Sequence, residues 1–304
     1  MKILLTGGSG QLGKSLISCK PRNIKLLTPS SAELDLNNAE EIRKIIKIEN
    51  PDWIINSGAY TDVDKAEIEK ESAIRINAIA PKIFSETLQQ TKGKLLHIST
   101  DYVFDGNKKT PYLPSDFKNP MNIYGQSKAL AEESIQENLK SVNQFIILRT
   151  SWVVSPFGRN FILSILNLLS NKKCINVVND QIGSMTSSFS LANICWELIK
   201  LNNINSENKR IFPAKHHWCN EGFLSWFDLA NAIKEIAQEI GLIKNPAEIK
   251  PISSDEYNFA AKRPKYSVLN CHATEKLLNI KKTGWKLSLY EILIYIQKMK
   301  KNNI

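Results

Sequence analysis

MKILLTGGSGQLG, residues 1–13, opens on a short apolar run, Ile3-Leu4-Leu5, followed by Gly7, Gly10 and Gly13 at GxxGxxG spacing. An apolar run of this kind reads as a buried strand, and the glycines then mark a strand-to-helix corner. The first permits a tight turn, the second lets a pyrophosphate approach the backbone, and the third lets helix and sheet pack closely. A helix from about Gln11 to Cys19 would aim its first N–H groups at the phosphates. Gly7, Gly10, Gln11, Leu12 and Gly13 are therefore candidate cofactor contacts.

Outward from this corner the pattern repeats. Apolar runs at Ile24 to Thr28, Trp53 to Ile55, Leu95 to Ile98 and Phe145 to Leu148 alternate with helical patterns at Ala39 to Ile48 and Glu71 to Gln90. This alternation predicts an α/β fold: a Rossmann-like doubly wound parallel sheet with a smaller, interleaved C-terminal domain. Residues 1–150 are expected to form the dinucleotide-binding domain, with returning elements near 175–215, and residues 151–304 mainly a second domain. In that half, 175–178 reads as a strand, 191–201 as a helix and 201–209 as a polar surface loop. Residues 223–240 and 287–299 read as amphipathic helices, and the last polar residues are expected to fray.

Open α/β sheets bind ligands at the carboxyl ends of their strands. Small residues there, Asn56-Ser57-Gly58-Ala59-Tyr60, suit a cofactor crevice, with Ala59 and Tyr60 as contacts. The second strand ends in Thr28-Pro29-Ser30-Ser31 with no acid before Glu33, so NADPH and NADH both remain open. Asp35, beside Leu36, is expected on the adenine side; its alternative is a turn or cap before the next helix. Asn77 is the one polar member of an apolar helical stripe and reads as a satisfied interface amide. The fourth strand runs into Thr100-Asp101-Tyr102, and its His97 reads as structural. A Gly-, Lys-, Asn- and Pro-rich loop, 105–121, then leads to NPMNIYGQSKALAEE at 119–133. Tyr124 and Lys128, four apart on one helix face, can serve one ligand.

Bulk properties narrow the setting. The chain has 304 residues, 42% hydrophobic and 23% charged, ample for a real core. Its +10 charge has no basic tail behind it, so no nucleic-acid partner is expected. The five cysteines are scattered without a CxxC pair, which argues for a reducing, cytoplasmic compartment and against a thiolate metal site. No stretch approaches a bilayer span, so no membrane partner is expected, and the N-terminus lacks the length of a signal peptide. His216 and His217 are adjacent with no metal-ligand set around them, so no metal is expected.

Longer stretches carry a resemblance. GGSGQLG at 7–13, PDWIINSGAYTDVDKAE at 51–67, STDYVFDG at 99–106, NPMNIYGQSK at 119–128, RTSWVVSPFGRNF at 149–161, DQIGSMTS at 180–187, LSWFDLA at 224–230 and KRPKYSVL at 262–269 run through nearly the whole chain. They resemble the extended short-chain dehydrogenase/reductases and, more closely, the dTDP-4-dehydrorhamnose reductase family. The resemblance implies Tyr124 as catalytic tyrosine, Lys128 as the lysine that binds nicotinamide ribose and assists it, and Thr100 as the hydroxyl beside them. It also implies a dTDP-linked 4-keto-6-deoxy-L-sugar contacted by Thr100, Asp101, Tyr102 and Trp152, and Arg263 as partner of the diphosphate, ahead of Lys262. A homodimer is consistent with it.

The chain departs from the family pattern at Pro114 in PYLPSD, Val154 in RTSWVVS and Met185 in DQIGSMT, which bears on substrate fit. Ser15, where some relatives carry a Glu, argues against their magnesium bridge between subunits. The alternatives are a reductase giving dTDP-6-deoxy-L-talose or using another nucleotide-linked 4-keto-6-deoxysugar, and a nucleotide-binding regulatory subunit like that of methionine adenosyltransferase.

Overall fold

The computed structural model describes residues 1–140, 143–208 and 210–301. At its centre is a six-stranded sheet made of β1 (Lys2–Thr6), β2 (Lys25–Leu27), β3 (Trp53–Asn56), β4 (Lys94–Thr100), β5 (Phe145–Thr150) and the strand Lys215–His217. Their order in space is β2, β1, β3, β4, β5 and then 215–217, with every neighbour parallel. The chain order reverses between β1 and β3, which places the crevice for a ligand above that pair.

Alternation within each apolar run explains why helices cover both faces. Ile3, Leu5, Trp53, Ile55, Leu96, Ile146 and Leu148 pack on one side with α1 (Gln11–Ser18) and the helix Ser188–Glu207. Leu4, Ile54, Leu95 and Ile147 point the other way, into α2 (Ala39–Glu49) and the helices Ala80–Leu88 and Ile123–Asn138. A parallel sheet buried on both faces needs such continuous apolar strands. The helix expected from Glu71 to Gln90 is broken by a π-helical turn, Arg75–Ile79, at whose centre lies Asn77.

The C-terminal half has its own core. Helices Phe161–Asn171, Trp226–Glu239 and Trp285–Lys301 pack around the parallel pair Cys174–Val178 and Glu248–Ile252. The return to the main sheet expected near 175–215 thus starts later than expected. Residues 174–178 pair within the second core, and the helix from Ser188 with the strand at 215–217 makes the return.

The polar run expected as a loop at 201–209 is helical through Glu207; Lys209, like residues 302–304 of the expected frayed end, lies outside the described residues. The cause is tertiary. Lys94 Nζ donates to Asn202 Oδ1, Asn203 Oδ1 and Ser206 Oγ, and Trp53 Nε1 donates to Asn203 Oδ1. These asparagines dock the helix to the amino ends of β3 and β4, overriding their weak helix propensity.

One buried ion pair ties the helix Ile123–Asn138 to the sheet. Arg149 of β5 donates to Glu132 through Nε at 2.8 Å and Nη2 at 2.6 Å, with both side chains essentially inaccessible. Against the burial that would raise it, Arg149 and Ser99 hold the Glu132 carboxyl below its usual range. Arg149→Met should lower the unfolding free energy by about 3 kcal/mol, because buried Glu132 then keeps only the Ser99 hydroxyl and the more distant Lys118 ammonium, 3.8 Å away. Denaturant titration measures this, and Arg149→Met combined with Glu132→Leu should recover part of the loss. Since the folded-state pKa is depressed, the pair's contribution is full above the unfolded glutamate value, about 4.3, and fades as pH falls through the folded value. A single variant as stable as the parent would refute the pairing.

Candidate active site

The N-terminal corner forms a cradle with almost no spare room. Gly7 has φ +70°, and a Cβ on it would lie 2.7 Å from the Gly58 nitrogen; one on Gly13 would lie 2.1 Å from the Gly7 oxygen. β1, β3 and α1 therefore meet backbone to backbone. Gly10 precedes α1 without a side-chain cap, no acid occupies the helix's first turn, and the buried Gln11 Oε1 has no hydrogen-bond partner among the described residues. Unspent N–H donors at a helix start of this shape fit the pyrophosphate of a dinucleotide. Leu36 closes the side of the cradle, its Cδ1 2.7 Å from where a Gly58 Cβ would stand. Asp35 lies beside it but is exposed, and its carboxylate accepts from the Asn37 backbone and side chain, the turn that was its alternative reading. Glu33 is engaged by the Ser30 backbone and hydroxyl, leaving no free acid at the end of β2.

Ala59 and Tyr60 follow β3, and Asn77 holds this loop in place. Its Oδ1 accepts from Tyr60 N at 2.8 Å, while Nδ2 donates to Tyr60 O at 2.9 Å and to Ser127 Oγ at 3.1 Å. The π turn thus joins the loop to the helix bearing Tyr124 and Lys128. An asparagine in an apolar stripe signalled this position, but its partners come from distant elements.

Thr100 ends β4 in register with Thr150 of β5. Its hydroxyl accepts from Tyr102 N and donates to Asp101 Oδ1 at 3.0 Å, shaping the turn Asp101–Val103. Asp101 Oδ2 is buried without a partner among the described residues, and burial pushes the carboxyl up to about 6. The helix Ile123–Asn138 starts on the Asn122 side chain, which accepts from Gly125 N. A Cβ on Gly125 would meet the Tyr102 oxygen at 2.1 Å, so the helix start sits directly on the turn after β4. Tyr124 consequently stands edge-on to Tyr102, ring centres 5.9 Å apart. Burial pushes its phenol up to about 12; the Thr100 hydroxyl opposes that shift and Asp101 adds to it. Lys128 Nζ donates to Ile98 O at 2.5 Å and lies 3.4 Å from His97 Nε2. Burial brings this lysine down to about 8 against the pull of Glu132. Thr100, Tyr124 and Lys128 therefore share the carboxyl edge of β4.

Trp152, two residues beyond Thr150, adopts φ +44°. Its ring stacks on Trp226 at 3.5 Å and 9°, and its other neighbour is Gly183, where a Cβ would fall 2.6 Å from the indole. A cleft of about 470 Å³ runs beside the turn after β4, lined among others by Asp105, Met121, Gln181, Tyr257, Lys262 and Arg263. Arg263 is not free: it pairs with Asp64 at 2.6 Å and lies over Phe259, 3.8 Å from the ring centre. His217 contacts Tyr112 O and Arg149, His216 contacts Pro213 O, and burial keeps both neutral, at about 3 and about 4.

A parallel nucleotide fold with a hydroxyl, a phenol and an ammonium at one strand edge defines an oxidoreductase of the short-chain dehydrogenase/reductase class. The family model described as RmlD substrate binding domain matches residues 1–298. The dTDP-4-dehydrorhamnose reductase of Aggregatibacter actinomycetemcomitans is 34% identical over 97% of this chain and 99% of its own. A spore coat polysaccharide biosynthesis protein of Bacillus subtilis is 35% identical over 96% of each. Among solved structures, a dTDP-4-dehydrorhamnose reductase from Clostridium acetobutylicum superposes with TM-score 0.88 at 32% identity, covering 98% of this chain and 100% of that one. The enzyme from Bacillus anthracis, in complex with NADP, gives 0.86 at 32%, covering 97% and 99%. The chain belongs to the dTDP-4-dehydrorhamnose reductase family.

Asn77→Ala should weaken binding of a nicotinamide dinucleotide about tenfold or more, by releasing the Tyr60 loop and stranding its buried partners. Fluorescence titration with NADPH checks this; unchanged affinity would sink the clamp.

Proposed function

We propose that this protein reduces the C4 ketone of dTDP-4-dehydro-L-rhamnose to give dTDP-L-rhamnose, using NADPH or NADH. The observation that carries the reading is the meeting of Thr100, Tyr124 and Lys128 at the carboxyl end of β4, beside a cradle that fits a dinucleotide. When bound, the dinucleotide supplies the hydride. The chain's residues orient the ketone and manage the proton. Charge develops on the ketone oxygen as the carbonyl is reduced, and the Tyr124 phenol, protonated at neutral pH, donates to it. The Thr100 hydroxyl becomes a second donor to that oxygen by turning its one proton away from Asp101 Oδ1. Lys128 stabilises the phenolate left behind, as long as it keeps its own proton.

The halves divide the work: residues 1–150 hold the dinucleotide, and residues 151–304 mainly hold the sugar nucleotide. Trp152 provides an apolar wall for the deoxysugar, and Asp101 and Tyr102 border it. Arg263 meets the diphosphate by exchanging its bond to Asp64 for one to phosphate, since both are charge-assisted pairs of similar geometry. The five cysteines are free thiols, which supports a reducing, cytoplasmic setting. A homodimer is the assembly that light scattering should test.

With purified protein, NADH or NADPH and dTDP-4-dehydro-L-rhamnose, cofactor oxidation should accompany formation of dTDP-L-rhamnose, identified by NMR. The talose epimer as product would replace the assigned sugar while leaving the reductase chemistry intact, and no oxidation with intact substrate would overturn both. Tyr124→Phe should cut kcat by about a hundredfold or more with little change in cofactor affinity. Because Lys128 releases its proton at about 8, kcat/KM for reduction should decline as pH rises through that value. A profile flat up to the ordinary tyrosine range, about 10, would contradict this role.

A further inference from the structure

Behind the site runs a buried polar chain whose direction is fixed from one end. The Gly58 backbone N–H, which can only donate, is 3.2 Å from Thr6 Oγ1. Thr6 is buried, and its own proton is given to Asn56 Oδ1 at 2.7 Å. Reversing the Asn56 amide would strand that hydroxyl proton, so the amide nitrogen faces His97 Nδ1, 3.0 Å away, and donates to it. A neutral imidazole that accepts at Nδ1 carries its proton on Nε2. That nitrogen is the one 3.4 Å from Lys128 Nζ.

We infer that His97 is a positioning residue for Lys128: the chain Gly58–Thr6–Asn56–His97 presents an imidazole N–H, not a lone pair, to the lysine and so favours its uncharged amine. An ammonium would set N–H against N–H at this contact, whereas the amine can accept from it while donating to Ile98 O. The imidazole cannot escape by charging, because it is fully buried beside Lys128 and both effects hold its pKa well below the ordinary value. The other groups around the lysine are accounted for. Glu132 lies one turn on and favours the ammonium, but is itself paired with Arg149, accepts from Ser99 and has the Lys118 ammonium 3.8 Å away. Asp101 acts on Tyr124, and Glu67 accepts from the Ile123 backbone at the helix start. His97 thus adds to burial in offsetting Glu132, and together they keep the lysine close to releasing its proton at working pH. The inference deepens the reading of Lys128 given above and rests on it.

Two measurements separate the inference from that reading. The chain has only four histidines, so 15N-histidine labelling gives a simple spectrum, with His97 assigned by its loss in His97→Gln. His97 should show an unprotonated Nδ1 and a protonated Nε2, without titrating between about pH 6 and about pH 9. A proton on Nδ1 would overturn the inference whether or not the protein turns over substrate. In the kinetic arm, His97→Ala should move the alkaline decline of kcat/KM upward by about half to one pH unit. His97→Gln, whose side-chain amide restores an N–H towards Lys128, should move it back. An unmoved decline in folded His97→Ala overturns the assignment; should that variant fail to fold, His97→Gln and the tautomer spectrum decide alone.

Discussion

The carboxylate of Glu132 accepts from Ser99 on β4 and twice from Arg149 on β5, all from positions closed to water. It sits one helical turn after Lys128, so these bonds fix the rotation and height of the helix relative to both strands. Burying the two charges is costly, and an apolar pair of similar volume could hold the layers as firmly. An apolar contact tolerates sliding, however, whereas a carboxylate gripped from two strands does not. We regard the ion pair as a registration device: it places Tyr124 over the turn after β4 and Lys128 against Ile98 O.

Once registered, the helix start depends on an absence of side chain. Gly125 lets the helix rest on the Tyr102 carbonyl, and a methyl group there would lift Tyr124 away from Thr100. The same economy recurs where Gly7 meets Gly58 and where Gly13 meets Gly7. Cofactor cradle and proton-handling edge are therefore both built on backbone contact, with Leu36 closing the cradle and Asn77 clamping its loop. That arrangement also explains the charge states, since burial raises the phenol and lowers the ammonium.

How much of this could be read from the chain alone depends on distance in sequence. The glycine corner, the strands and the Tyr-Lys helix are local patterns, and β1 to β5 lie where their apolar runs placed them. The strand Lys215–His217 carries no apolar alternation, and it exists because β5 offers an edge to pair with. Asn202 and Asn203 read as loop because their bonds to Lys94 and Trp53 span about a hundred residues or more. His97 could be read as buried in a strand but not as touching Lys128, a contact made only by packing. Arg263 was legible as a cation and not as one already paired with Asp64.

The departures from the family pattern gain meaning from where they sit. Val154 and Met185 are fully buried in the core of the C-terminal half, and Pro114 contributes its carbonyl to Arg149. None of them is among the residues lining the cleft beside Arg263. Val154 and Met185 share their core with Trp152, whereas Pro114 bears on Arg149, so each can act at a distance only through a residue it supports. This tryptophan holds a left-handed backbone, a conformation that costs about 1–3 kcal/mol in a bulky residue. Gly183 on one side and the Trp226 stack on the other leave its ring one place to lie. An indole held in this way by tight packing has little freedom to adapt its position. On the proposed role of Trp152 as the wall against the deoxysugar, selectivity would reside in the fixed plane of that indole, with Val154 and Met185 setting its tilt through the core they share with it.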